Sequence, residues 1–134
     1  CRFYSCTHLP MFCLHFISEY LDEESLLWFD LLVQQDPTSL AQAIGMRNII
    51  MWLDDDRMLH SLLMPRSAHR PSCYYAEDGD SMLVSPGAID MAGVIILPRQ
   101  EDFDRISSAH LHRIFQEVSL DYRSLPVFRD LIMR

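Results

Sequence analysis

Two apolar segments separated by three consecutive acids constrain the fold of this chain more than any other feature. Met46–Leu53 (MRNIIMWL) and Met58–Met64 (MLHSLLM) lie on either side of Asp54–Asp56. Aspartate favours tight turns because its carboxylate can accept hydrogen bonds from nearby backbone N–H groups. Two apolar strands joined by a short acidic turn predict a β-hairpin.

Further apolar segments predict more strands around this hairpin. Leu9–Ile17 carries apolar residues on both faces and predicts a buried strand. After the hairpin, the sequence predicts a short aromatic strand over Ser72–Ala76, an apolar segment over Ser81–Ser85, and a strand over Ile89–Pro98 that bends at Gly93. Together these segments predict a meander of antiparallel strands.

Helical periodicity is confined to the regions before and after these strands. Leu21–Gln35 predicts an amphipathic helix, and Asp102–Ile106 predicts a short turn. Ser107 or Ser108 would cap a helix that reaches about Ser119, and Ser124–Met133 predicts a final amphipathic helix. The expected fold is α+β: an antiparallel sheet with flanking helices and a C-terminal helical tail, in one domain spanning residues 1–134.

The charged residues exclude several classes of function. All 11 basic residues are arginine, so the chain lacks the lysine of phosphate-binding loops and Schiff-base enzymes. The net charge of −8 argues against a general nucleic-acid binder. No apolar run approaches the ~20 residues of a membrane helix, and no Cys-x-x-Cys pair occurs. We therefore expect a cytoplasmic protein with no membrane or nucleic-acid partner.

A polar loop bounded by two prolines is the strongest candidate for ligand contact. Pro65–Pro71 (PRSAHRP) contains Arg66, His69 and Arg70, and Tyr74 follows shortly afterwards. Arginine offers planar, bidentate donors to phosphate or carboxylate, and an aromatic ring can stack on a base. This pattern predicts an anion or nucleotide site. The alternative is a structural loop whose arginines pair with the many acids.

A second candidate is the segment of small residues over Ser85–Gly93. Glycine allows the backbone to approach another group closely, and that group is either a ligand or a neighbouring strand. Asp90 stands among apolar residues in this segment. A carboxylate in such surroundings is expected to be either hydrogen-bonded or functional.

The remaining histidines and acids do not predict a metal or catalytic site. His110 and His112 fall on a predicted helix, where they point about 200° apart and cannot form one site. The spacing of His8 and His15 matches no familiar metal motif. Asp54–Asp56 could hold a divalent cation, but an acidic turn accounts for it better. We expect neither a metal nor another cofactor.

Three uncommon motifs in order carry a resemblance to a known family. They are Arg47-Asn48-Ile49 followed by Trp52, then Met64–Asp78, then Leu83–Ile106, with His112–Leu120 as a tail. This region, about residues 46 to 120, resembles a bacterial family named domain of unknown function 4922. That family in turn is similar to the histidine-triad superfamily, including GDP-hexose phosphorylases and diadenosine tetraphosphate phosphorylase.

The resemblance implies cleavage or transfer at a nucleoside phosphate. In such enzymes a histidine on a strand attacks the α-phosphorus and forms a nucleotidyl-enzyme. Its His-x-His-x-Gln motif does not occur in this chain, which begins at Cys1. We therefore expect the C-terminal part of a longer nucleotide phosphorylase or nucleotidyltransferase, with the nucleophile upstream. The alternative is a non-catalytic ligand-binding or interaction domain.

The resemblance also implies which residues contact the substrate. The ligand would be a nucleotide, a nucleotide-sugar or a dinucleoside polyphosphate, and an open sheet edge makes a homo-oligomer possible. The expected contacts to phosphate or sugar come from the loop, with a second group assisting or shaping the pocket. The resemblance implies Arg66, His69, Arg70, Asn48, Ser85, Gly87 and Asp90, and the loop pattern described above adds Tyr74.

Overall fold

The computed structural model describes residues 2–5, 13–18, 46–77, 79–121 and 123. Its strands are β1 (Arg2–Ser5), β2 (Leu14–Ser18), β3 (Arg47–Leu53) and β4 (Leu59–Pro65). They form one antiparallel sheet in the order β1-β2-β4-β3. The predicted helices over Leu21–Gln35 and Ser124–Met133 lie outside the described residues.

The predicted hairpin is confirmed. β3 and β4 pair along their whole length, from Arg47 opposite Pro65 to Leu53 opposite Leu59. At the turn, the Asp54 N–H donates to the Met58 carbonyl at 3.1 Å, and Asp54 Oδ1 accepts from the Met58 N–H at 2.8 Å. The first acid of the turn therefore closes the hairpin with both its backbone and its side chain.

Helices follow the sheet and complete the α+β fold. They are a 3₁₀ helix (Ser72–Tyr75), α1 (Ala88–Met91), α2 (Gln100–Arg105) and α3 (Ser108–Val118). As predicted, Ser107 caps α3, accepting a 3.3 Å hydrogen bond from the His110 N–H. No helix among the described residues is long and apolar enough to cross a bilayer.

Among the described residues, two apolar core clusters share helix α3. One cluster joins the sheet to the helices and contains Cys13, Met64, Met91, Phe115 and Val118. The other joins the 3₁₀ helix and the segment after it to α3, and it contains Cys73, Met82, Val84 and Ile114. Because Ile114, Phe115 and Val118 recur at helical spacing, one amphipathic face of α3 serves both clusters.

The strands predicted after the hairpin are wrong, whereas the strand predicted over Leu9–Ile17 overlaps β2 (Leu14–Ser18). Ser72–Ala76 is a 3₁₀ helix over Ser72–Tyr75, Ser81–Ser85 forms no strand, and the predicted turn at Asp102–Ile106 is helix α2. The strand predicted over Ile89–Pro98 is also absent. Its first residues belong to α1, and the rest has no regular structure.

Side-chain acceptors explain why these segments are not strands. Two buried carboxylates, Asp90 and Asp102, accept hydrogen bonds from backbone N–H groups that a neighbouring strand would otherwise satisfy. Gly93 then turns the chain out of α1 with a φ of +105°. The Gly93 N–H donates to the Asp90 carbonyl, and the Val94 N–H donates to the Ile89 carbonyl. This is a Schellman ending, which favours glycine.

Asp102 is a buried charge that holds α2 against the segment between the 3₁₀ helix and α1. It is fully buried and accepts from Arg99 Nε at 2.7 Å, from Arg105 Nη2 at 2.7 Å and from the Leu83 N–H at 2.9 Å. Burial raises the pKa of this carboxyl, but the hydrogen bonds from Arg99, Leu83 and Arg105 outweigh burial and lower the pKa to about 2.

We expect Asp102→Asn to reduce the free energy of unfolding by about 2 kcal/mol at pH 7, because charge-assisted hydrogen bonds are lost. A folded-state pKa below the unfolded value stabilises the fold above about pH 4, and this contribution disappears as the pH falls toward 2. The two proteins should therefore converge in stability at acid pH in urea titrations. Asp104→Asn, at an exposed position of the same helix, is the matched control. Equal losses in both variants would contradict the role of Asp102.

The two glycines that flank α1 give a second prediction. Gly93→Ala should destabilise the protein by about 1 kcal/mol, because alanine is disfavoured at a positive φ. Gly87→Ala should cost less, because an added Cβ would meet only Asp90 Oδ2 at 3.6 Å, an ordinary contact distance. Thermal unfolding of both variants tests this order, and the reverse order would contradict it.

Candidate functional site

Arg66 organises the loop that follows β4. Its side chain is buried, and the guanidinium donates to three backbone carbonyls: Ala68 at 3.2 Å, His69 at 2.7 Å, and Pro86. Burial lowers the pKa of Arg66, although the charge of Asp90 opposes that effect. Because these three carbonyls are bonded to one planar group, Arg66 fixes the shape of the loop and joins it to the segment before α1.

The end of α3 holds the same loop from the other side. Ser67 Oγ donates to the carbonyls of Glu117 and Ser119, at 2.9 and 3.0 Å. The Glu117 carboxylate accepts from the Ser72 N–H at 2.6 Å and from Ser72 Oγ at 3.0 Å. The loop is therefore anchored at both its beginning and its end.

Arg70 is oriented by an aromatic ring. Its Cζ lies 4.0 Å from the centre of the Tyr74 ring, a cation–π contact. Its Nε is buried and has no hydrogen-bond partner, and none of the described residues accepts a hydrogen bond from its guanidinium. The side chain of His69 is exposed beside it. Arg70 thus combines a fixed orientation with a donor that has no partner among the described residues, which favours an anion site.

Asp90 fixes the segment on the far side of Arg66. It is buried; Oδ2 accepts from the Gly87 N–H at 2.8 Å, and Oδ1 accepts from the Ile96 N–H at 2.9 Å. Of the two expectations for this carboxylate, the structure shows the hydrogen-bonded one. Ser85, two residues before Gly87, is exposed.

The structure joins the predicted residues through a few contacts. Arg66 links the loop to Pro86, which stands between Ser85 and Gly87. Asn48 Nδ2 lies 3.3 Å from the sulfur of Met91, so β3 reaches the helix that carries Asp90. Within this connected region Arg66 and Asp90 bond backbone groups of the protein, whereas the side chains of Arg70 and His69 have no hydrogen-bond partner among the described residues.

A second polar cluster lies at the other end of the hairpin. His60 Nε2 donates to Asp54 Oδ2 at 2.8 Å, and His60 Nδ1 lies 2.9 Å from His15 Nε2. The Trp52 ring stacks on His60, with ring centres 4.8 Å apart and an interplanar angle of 9°. The hydrogen bond from His60 lowers the pKa of Asp54. The arrangement is a hydrogen-bonded chain from a carboxylate through two imidazoles, and it can relay or store a proton.

The sequence analysis did not predict this cluster, although the contact between Trp52 and His60 could have been predicted from the hairpin. Once the acidic turn sets the register of the hairpin, Trp52 and His60 fall directly opposite each other. His15 had no comparable signal, because its contact depends on the pairing of β2 with β4 across 45 residues. Among the described residues, no group of three or more histidine, cysteine or acidic side chains is arranged to hold a metal ion. His8 lies outside them.

The histidine chain makes stability depend on pH. Burial, followed by the charge of His60, lowers the pKa of His15 below the ordinary value of 6.5. A lowered folded-state pKa costs stability as the pH falls below about 6.5, because the unfolded chain binds the proton more readily. We expect His15→Phe to reduce the loss of unfolding free energy between pH 7 and 5, measured by urea titration. His112→Phe, at an exposed helix position, should retain the wild-type slope. An unchanged slope in His15→Phe would refute this account.

Comparison with known proteins identifies the family. Residues 26–133 match the family described as GDPGP1-like, C-terminal domain, and every predicted site residue lies within this range. The match supports the resemblance to GDP-hexose phosphorylases, whereas membership of domain of unknown function 4922 and of the histidine-triad superfamily stays a prediction. Searches of curated proteins and of solved structures give no match. Since the matched range covers most of the sequence, this chain belongs to the GDPGP1-like, C-terminal domain family.

Proposed function

We propose that this chain is the C-terminal part of a nucleotide phosphorylase or nucleotidyltransferase. Its substrate would be a nucleotide-sugar or a dinucleoside polyphosphate, bound through phosphate or sugar by the loop after β4. Membership of the GDPGP1-like, C-terminal domain family supports this proposal. The observation that carries it is Arg70, whose guanidinium is stacked on Tyr74 while its donors have no acceptor among the described residues.

The two arginines of the loop have different roles in this proposal. Arg70 donates to phosphate oxygens, while Tyr74 holds the plane of its guanidinium. Arg66 contributes mainly as a positioning residue, because its hydrogen bonds to three carbonyls leave fewer of its five N–H donors for a ligand. The exposed His69 is a second donor to phosphate or sugar.

The remaining predicted residues shape the pocket on this proposal. Asp90 holds Gly87, and Arg66 holds Pro86, so the backbone around Ser85 is fixed from two directions. Asn48 contributes by contacting Met91, the last residue of α1. The catalytic histidine would come from outside these 134 residues, since no His-x-His-x-Gln motif lies within them. We therefore expect the chain alone to bind nucleotide weakly and to turn none over.

Titration calorimetry of the chain with a nucleoside diphosphate tests the binding proposal. Arg70→Gln should weaken binding about tenfold or more, because hydrogen bonds to charged groups contribute about 1.5–3 kcal/mol each. Thermal unfolding should stay close to wild type, since Arg70 donates no hydrogen bond to the described protein groups. Arg113→Gln, an exposed arginine of α3, should bind within about twofold of wild type and controls for net charge.

Three outcomes would change the proposal. Equal affinity of Arg70→Gln and wild type would remove the loop as the phosphate site. Robust phosphorolysis by the chain alone would show that its own residues supply the nucleophile. Nucleotide binding without turnover in the longer protein would favour the alternative, a non-catalytic ligand-binding domain.

A further inference from the structure

Tyr75 presents an exposed aromatic ring beside the arginine loop. Its side chain is 65% exposed, although it directly follows Tyr74 in the 3₁₀ helix that begins two residues after Arg70. Neighbouring side chains of a 3₁₀ helix point about 120° apart, because the helix has three residues per turn. Tyr74 can therefore lie against Arg70 while Tyr75 remains in solvent.

The backbone that carries this ring is fixed from two directions. The Ser72 N–H and Oγ donate to the Glu117 carboxylate, at 2.6 and 3.0 Å. Cys73 is buried in an apolar cluster, and its carbonyl accepts from the Met82 N–H at 3.0 Å. A ring on such a backbone is preorganised, so little backbone freedom is lost when a ligand stacks on it.

The contact between the two tyrosines leaves Tyr75 available to a ligand. Their ring centres lie 5.2 Å apart and their planes meet at 73°, an edge-to-face contact. In such a contact Tyr75 keeps at least one ring face free, whereas the Arg70 guanidinium covers a face of Tyr74. Tyr75 is thus better placed than Tyr74 to receive a flat ligand group.

The distance between this ring and Arg70 suits a nucleotide. Arg70 Cζ lies 4.0 Å from the Tyr74 ring centre, which lies 5.2 Å from the Tyr75 ring centre. These two contacts place the Tyr75 ring centre no more than about 9 Å from Arg70 Cζ. A nucleoside diphosphate can span this distance, from a base on Tyr75 to phosphate oxygens at Arg70, because only the ribose separates its base from the first phosphate.

We propose that Tyr75 is the stacking surface for the base of the nucleotide, so that the site prefers nucleotides to phosphate compounds without a base. The inference rests on the proposed function, because it takes the phosphate contact at Arg70 as given. Every base has a π face, so this contact selects for the presence of a base rather than for its identity. The substrate class is therefore one that contains a nucleoside, and simple sugar phosphates are excluded from it.

Calorimetric titration with GDP and with inorganic pyrophosphate separates the base contact from the phosphate contact. Tyr75→Ala should weaken GDP binding about tenfold, the loss expected for one stack of a base on an aromatic ring, and should leave pyrophosphate binding unchanged. Tyr75→Phe retains the ring and should bind both ligands like wild type. Phe103→Ala is the matched control, because Phe103 is a similarly exposed aromatic residue of α2, and it should affect neither ligand. Unchanged GDP affinity in Tyr75→Ala, or an equal loss for GDP and pyrophosphate, would overturn the proposal.

The proton spectrum of GDP gives a readout that does not depend on affinity. A tyrosine ring stacked on guanine moves the resonance of the base H8 proton upfield through its ring current. This shift should appear when GDP is saturated with wild-type protein or with Tyr75→Phe, and it should be absent with Tyr75→Ala. A full shift that persists in Tyr75→Ala would assign the stack to another ring and overturn the proposal.

Arg70→Gln distinguishes a failure of this inference from a failure of the proposed function. That variant should weaken the binding of GDP and of pyrophosphate together. If it weakens neither while Tyr75→Ala weakens GDP binding, the phosphate site lies elsewhere and the stacking surface is supported. If it weakens both while Tyr75→Ala weakens neither, the phosphate site is supported and the stacking surface is wrong.

Discussion

The buried guanidinium of Arg66 is the interaction on which the candidate site depends. A buried charge must have its donors satisfied, and here backbone carbonyls of the loop and of the segment before α1 satisfy them. One planar group thereby sets the path of two segments that no sheet supports. Arginine suits this role because its fork of donors has fixed geometry, whereas an ammonium group would act as a point charge.

Buried carboxylates fix the path of the backbone in the second half of the chain in a similar way. Asp102 accepts the N–H of Leu83, and Asp90 accepts those of Gly87 and Ile96. These three backbone N–H groups of the connecting segments thus find acceptors without pairing in a strand. This leaves the segments on either side of α1 irregular in shape but anchored by these bonds, which suits a region that borders a binding loop.

Strand β4, one of the two inner strands of the sheet, separates two polar regions of different character. The arginine loop follows its last residue, Pro65, while the chain of Asp54, His60 and His15 surrounds its beginning. Seven residues of strand place the two regions about 20 Å apart. The arginine loop is suited to anions, because the Arg70 guanidinium has no acceptor among the residues that the structure describes. The histidine chain is suited to holding or passing on a proton, because its two imidazole rings are hydrogen-bonded to each other and one of them to a carboxylate.

Sequence alone determined the features that local interactions dictate. The β3–β4 hairpin, the Ser107 cap of α3 and the α+β class follow from turn chemistry and periodicity, which act over a few residues. The arginine loop could also be predicted from the sequence, since a proline stands at each of its ends.

Tertiary structure decided the features that depend on residues far apart in the sequence. Only the carboxylates could show that 89–98 is not a strand, and only the pairing of β2 with β4 could bring His15 to His60. Likewise, Arg66 and Arg70 are the same residue type four positions apart, and only their surroundings differ. Arg66 is buried and bonded to backbone carbonyls, whereas Arg70 lies over Tyr74 with no acceptor among the described residues.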